Sequence, residues 1–180
     1  RAIDNCEKAV SLAPSNSLYH LWLGRIYGEK ADTVNFMSAA SLAGKVRDQF
    51  EKAVQLNPHS ADARTDLAEF YLEAPGIVGG GRDKAETQAA ALDKLNPSKA
   101  DWVRGRLAEK KKDYATAEKE YRAAIDASHG GANDWLNLAL FYRHVGRLSE
   151  MEDAINHAAA ARMDEPGVLV EGADNLIRAG

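Results

Sequence analysis

The sequence predicts an all-α protein built from stacked pairs of antiparallel helices. Three observations carry this expectation. A stripe of residues spaced four and then three apart recurs along the 180 residues. A second motif, a Leu-Gly or Leu-Ala pair followed by Tyr three residues later, precedes most copies of the stripe. The composition agrees: 32 alanines and only 7% aromatic residues favour helices that pack closely through small side chains.

The elements follow in order. Ala2-Cys6-Ala9 is the first stripe, closed by Pro14, and spacings of four and three place such residues on one helical face. Residues 1–14 therefore read as the second helix of a pair. The chain starts in helical stride at RAIDNCEKAV, so it reads as a segment that lacks its natural N-terminus. The first full repeat spans about 17–58, with Leu23-Gly24-Tyr27 ahead of Val46-Phe50-Ala53-Pro58. The second, about 61–97, has Leu67-Ala68-Tyr71 ahead of Ala85-Ala89-Leu92-Pro97. The third, about 98–129, is degenerate. Gly105 and Ala108 hold the Gly and Tyr slots, and Ala117-Tyr121-Ala124 is its stripe. The fourth, about 132–163, is the most complete, running from Trp135-Leu138-Ala139-Tyr142 to Met151-Ile155-Ala158. A partial fifth repeat is expected over 168–180. Asn57-Pro58, Asn96-Pro97, Gly130-Gly131 and Pro166-Gly167 mark the turns between repeats. None is long enough to separate domains, so 1–180 reads as one domain of about ten helices.

The pattern from Trp135 to Ala158, with Gly146 and Leu148 at the inter-helix turn, resembles the tetratricopeptide repeat (TPR) family. That family writes W-x2-L-G-x2-Y on its first helix and A-x3-F-x2-A-x4-P on its second. The resemblance covers nearly the whole chain. It implies a right-handed superhelix, an α-solenoid, whose first helices line a concave groove that holds a peptide or partner protein. One subtype grips the C-terminal carboxylate of chaperones with a Lys and an Asn four residues on. The matching pairs here are Leu21/Arg25, Thr65/Glu69, Trp102/Arg106 and Leu136/Leu140, and none is Lys/Asn, which argues against that adaptor role.

Two repeats exceed the family length. The first carries an insertion over 28–44. Its second helix is expected to start near Ser38, capped by Asn35 or Ser38, with Phe36 and Met37 packed over the helix end. The second carries Glu73-Ala-Pro-Gly-Ile-Val-Gly-Gly-Gly-Arg-Asp-Lys over 73–84. This segment reads as a structural turn with Ile77 and Val78 tucked down and Asp83 starting the next helix in a capping box. A glycine loop beside Arg82 and Lys84 also invites an anion site, but the phosphate-loop spacing is absent. The loop in this repeat context resembles bacterial repeat proteins, many of them exported; cytoplasmic and periplasmic settings both fit.

The remaining composition excludes several classes. The net charge of −4 argues against a nucleic-acid binder. No apolar run reaches the ~18 residues of a membrane span. Cys6 is the only cysteine, so no disulfide or thiolate zinc site forms within one chain. The five histidines, His20, His59, His129, His144 and His157, contain no pair four apart on a helix. No catalytic constellation, metal site or cofactor motif is present, so the chain reads as a non-enzyme. Its expected activity is that of a protein-interaction scaffold. The alternative is a self-assembling or small-ligand-carrying component of a larger bacterial complex.

The candidate groove residues follow from register. Asp62, Asp66, Glu69 and Glu73 are spaced four, three and four apart, one acidic stripe on the first helix of the second repeat. Arg25 and Arg106 sit where they could neutralise it. Trp22 and Trp102 lie one or two residues past the usual aromatic slot, turned toward the groove. A Lys- or Arg-bearing segment of a partner is the occupant that such a stripe would favour. Trp135 itself is expected to be buried between the helices of the fourth repeat.

Overall fold

A computed structural model describes residues 1–161, and over them the chain is helical throughout, with no strand. The helices are α1 (Ala2–Leu12), α2 (Ser17–Ala31), α3 (Phe36–Leu56), α4 (Ala61–Glu73), α5 (Arg82–Leu92), α6 (Pro97–Lys110), α7 (Tyr114–Ala127), α8 (Ala132–His144) and α9 (Leu148–Ala161). A 3₁₀ turn, Gly76–Val78, separates α4 from α5. The partial repeat expected over 168–180 lies outside the described residues. The chain divides into two compact units, Arg1–Leu95 and the part from Asn96 onward.

Side-chain caps fix the starts of most helices. Asn16, Asn35, Ser60, Asn96 and Asp113 each accept a backbone N–H from the first turn of the helix that follows, which satisfies donors a helix start leaves open. Asn35 is the cap chosen for α3, so that helix begins at Phe36, two residues before Ser38. Gly81, not Asp83, precedes α5, and no side chain caps it. Asp83 falls one residue inside the helix, so the expected capping box is absent.

In the first unit α2 pairs with α3 and α4 with α5, while α1 packs on α2 and α3 on α4. In the second unit α6 pairs with α7 and α8 with α9, with α7 and α6 both against α8. The recurring stripe is the core of each pair: Val46, Phe50 and Ala53; Ala85, Ala89 and Leu92; Ala117, Tyr121 and Ala124; Met151, Ile155 and Ala158 are all buried. The first stripe is the exception, because no residue of α1 is buried.

The small residue of the second motif has a steric job. A Cβ built on Gly24 would stand 2.5 Å from Cε1 of Phe50, and one on Gly105 would stand 2.9 Å from Cε1 of Tyr121. In both pairs the ring of the second helix lies against bare backbone of the first.

A polar latch joins successive pairs. The hydroxyl of Tyr27 donates to Glu7 (2.5 Å), that of Tyr71 to Glu51 (2.8 Å) and that of Tyr142 to Glu118 (2.7 Å). Each tyrosine is on a first helix and each glutamate on the second helix before it. At the last joint Arg122 donates to the Tyr142 hydroxyl and Arg147 to Glu118. Burial and the adjacent carboxylate push the Tyr27 and Tyr142 hydroxyls up to about 12. Burial opposes ionisation of Glu118, but donors from Tyr142, Arg147 and Arg122 outweigh it and hold the carboxyl below its ordinary value.

Several expected placements are corrected. Trp135 is half-buried, stacked face to face on His157 with ring centroids 4.3 Å apart. Phe36 and Met37 are 84% and 83% exposed, and Ile77 is 95% exposed. The first two sit in the first turn of α3, ahead of Val46, where its buried stripe begins. Ile77 points outward because the 3₁₀ turn is held by its backbone: Gly80 and Gly81 donate to the carbonyls of Pro75 and Tyr71.

This packing is testable in two ways. Gly24→Ala should cost about 1–2 kcal/mol despite its better helix propensity, because the Phe50 ring must move. Gly28→Ala, four residues on in the same helix with nothing within 4 Å of the added Cβ, should stabilise by about 0.5–1 kcal/mol. Opposite shifts in the urea midpoint check the pair. The raised tyrosine values lead to the other test. A raised folded-state value contributes stability below the unfolded value of about 10, lost as pH rises through about 12. Urea midpoints should fall between those limits, and fall less in Tyr27→Phe/Tyr142→Phe.

Candidate functional site

The residues expected to form a groove divide between the two units. Trp22, Arg25, Asp62, Asp66, Glu69 and Glu73 belong to the first; Trp102 and Arg106 belong to the second. In the second unit the Arg106 guanidinium lies over the Trp102 ring, 5.5 Å from its centroid, and reaches Glu109 at 4.0 Å. Trp102 is half-buried against the core that contains Tyr121 and Phe141, so much of its ring is packing.

In the first unit the site grows from α2 and α4. The buried stripe of α2, which includes Leu21, Leu23, Gly24 and Tyr27, leaves Leu18, Trp22 and Arg25 on another face by helical spacing. Leu18 and Trp22 are 53% and 50% exposed. The Arg25 guanidinium lies over the Trp22 ring, 5.0 Å from its centroid. Its Nε donates to Asp66 Oδ2 on α4 at 2.5 Å. The hydrogen bond to Asp66 raises the Arg25 value; burial opposes this, and the charges of Asp66 and Asp62 add to it. Arg25 thus ties α2 to the acidic stripe and offsets part of its charge.

Beside this tie is a cleft of about 500 Å³. Val46 and Phe50 of α3 and Phe70 of α4 contribute apolar surface, and Asp66, Glu69 and Glu73 of α4 contribute carboxylates with Asp32 from the end of α2. Three of the four stripe residues therefore line one cleft together with Arg25. Neither Asp62 nor Trp22 is among its lining residues. Sequence spacing found the acidic side of this cleft. It missed the apolar side, since Phe50 and Phe70 carry no mark that separates them from ordinary core.

The other candidate chemistry takes structural form. His20 is buried; its Nε2 is 2.9 Å from the Pro14 carbonyl oxygen and its Nδ1 is 2.7 Å from the Gln49 side-chain amide. His144 faces Glu109 at 3.3 Å while His157 stacks on Trp135, so the two serve different contacts. Lys84 donates to the Gly79 carbonyl and Arg47 to the Val78 carbonyl. The basic groups near the glycine loop thus brace its backbone. Among the described residues no group of three or more His, Cys, Asp or Glu could hold a metal ion, and no helix is long and apolar enough to cross a membrane.

No family model matches the sequence, and no curated protein matches it. Solved structures do. TTC0263, a thermophilic TPR protein of Thermus thermophilus, superposes with a TM-score of 0.71 at 18% identity, over 97% of this chain and 89% of that one. MamA gives 0.54 at 18% identity, over 89% and 86%. YrrB, a TPR protein with an unusual peptide-binding site, gives 0.50 at 10% identity, over 98% and 84%. The fold is therefore of the tetratricopeptide type, as the repeat motifs imply.

The tie itself is testable. An exposed ion pair contributes roughly 0–1 kcal/mol, but Asp66 is only 18% exposed and Arg25 also covers Trp22. Arg25→Ala should cost about 1–2 kcal/mol, read as a lowered urea midpoint, and the change in tryptophan emission that accompanies it should be absent in a Trp22→Phe background.

Proposed function

We propose that this chain is a non-catalytic protein-interaction module whose first unit receives a Lys- or Arg-bearing segment of a partner protein against α2 and α4. The observation that carries this reading is the cleft lined by the carboxylates of Asp66, Glu69, Glu73 and Asp32 together with Arg25. A cleft lined by several carboxylates is complementary in sign to a cationic side chain and would steer one toward it. Peptide binding by YrrB supports the same use of the fold. Trp22 flanks the site through its stack with Arg25. In the second unit, Trp102 and Arg106 of α6 form the same kind of ring-and-guanidinium pair. Such contacts are individually weak, so affinity needs several acting together and falls with salt.

The test is capture of partners by the wild-type chain and by Glu69→Lys/Glu73→Lys, which leaves the Arg25–Asp66 tie intact. Partners retained at about 0.1 M salt should be lost from the variant, and lost from the wild type toward 1 M. Equal capture by both proteins would end the acidic-surface reading.

A further inference from the structure

The Tyr–Glu latch has a third member that its hydrogen bonds do not show. Each latch tyrosine carries a cation on its ring. Lys45 Nζ lies 5.0 Å from the Tyr27 centroid, Lys84 Nζ 5.2 Å from that of Tyr71, and the Arg147 guanidinium 4.6 Å from that of Tyr142. The glutamate comes from the preceding second helix. The cation comes from the second helix of the tyrosine's own pair or, for Arg147, from the residue just before it. We infer that cation, ring and carboxylate form one conformational clasp, in which the grip of a first helix on the preceding second helix depends on its own second helix being in place.

The geometry recurs where the sequence spacing does not. The cation follows its tyrosine by 18, 13 and 5 residues, because insertions lengthen the first two repeats, yet it stands 4.6–5.2 Å from the ring in all three. Lys45 and Lys84 each precede the first residue of a buried stripe, Val46 and Ala85. In the fourth repeat Glu150 holds that slot. The cation is supplied three residues earlier by Arg147, which also donates to Glu150 at 2.9 Å. In the third repeat Ala108 stands in the tyrosine slot and Thr116 in the cation slot. Tyrosine and cation are therefore kept together or lost together.

The two contacts also strengthen each other. A cation over the ring face draws electron density from the phenol and makes its O–H a better donor. A carboxylate that accepts this hydrogen bond returns density to the ring and makes the face more attractive to the cation. Cation and carboxylate attract across the ring as well. Opening of a second helix removes the cation, weakens the Tyr–Glu bond and loosens the helix that carries the glutamate. Neighbouring pairs within a unit are coupled through the tyrosine in this way, as stacked repeats require.

The experiment is native-state hydrogen exchange on the 180-residue chain, read at the amides of α1, which carries Glu7 but neither the tyrosine nor the cation of its joint. Lys45→Gln, a change on α3, should speed exchange in α1 about two- to fivefold, and Lys45→Arg should keep wild-type rates. In a Tyr27→Phe background, where the hydroxyl is gone, Lys45→Gln should add nothing in α1. Lys52→Gln removes the same charge from the same helix, at a site where the lysine donates to Gln55, and should leave α1 unchanged. If Tyr27→Phe folds poorly, the middle joint gives a comparison without it. There Lys84→Gln, whose amide can still donate to the Gly79 carbonyl, should speed exchange around Glu51 in α3. Unchanged exchange in α1 with Lys45→Gln overturns the clasp. So do equal effects of Lys45→Gln and Lys52→Gln, or an effect of Lys45→Gln that persists in Tyr27→Phe.

Discussion

The contact of an aromatic ring with bare helix backbone sets the spacing on which the pairs α2/α3 and α6/α7 depend. Phe50 lies on Gly24 and Tyr121 on Gly105. With a Cβ at either glycine the two helices could not approach this closely, and the residues a turn away on each stripe would lose their partners. Helices of this length are marginal alone; they hold because their small-and-bulky stripe is buried. In α4/α5 and α8/α9 the same slot holds Ala68 and Ala139, both fully buried, and the slot of the ring is held by the smaller Ala89 and Ile155.

Pairs are joined by a different interaction. The Tyr–Glu latches at Tyr27, Tyr71 and Tyr142 each put a hydroxyl against a carboxylate at the edge of the apolar core, where partial burial strengthens the bond and makes the unpaired alternative costly. The last one shows how a sequence change is absorbed. Arg122 occupies the slot held by Glu7 and Glu51 in earlier copies, and the acceptor role moves one turn back to Glu118, where Arg122 and Arg147 also donate. In the third repeat Ala108 takes the tyrosine slot, and in the second Ala90 takes the glutamate slot, so the sequence does not carry this residue pair there.

Periodicity made the core legible. Every stripe residue from Val46 onward that was read from spacing is buried, because a stripe of this kind has one geometric solution. Direction at the ends of elements was not legible in the same way. Phe36, Met37 and Ile77 look like packing residues by composition, yet a cap at Asn35 and a backbone-held turn at 76–78 aim them at solvent. Trp102 shows the converse: its offset from the aromatic slot suggested groove exposure, and it is half-buried on its own unit's core. The acidic stripe could be read from spacing alone. The apolar half of the cleft could not, because Phe50 and Phe70 contribute to it with surface left over from core positions.

The same difficulty explains why the two insertions looked like decoration on the repeat. They build the cleft. Gly28, Ala31, Asp32 and Ala43 come from the inserted segment 28–44, and Glu73 and Ala74 from the segment 73–84. The first insertion extends α3 backwards from Val46, which gives the cleft its Ala43 wall. The second leaves α4 through Ala74, and the turn that follows is clamped to α3 by Arg47 at the Val78 carbonyl. Gly79 accommodates that arginine: with φ of 103° and an added Cβ only 2.8 Å from the Arg47 side chain, the position tolerates no other residue without strain. A repeat of minimal length would have neither the wall nor the clamp. What departs from the repeat pattern in this chain is therefore the part that distinguishes it chemically from a plain stack of helix pairs.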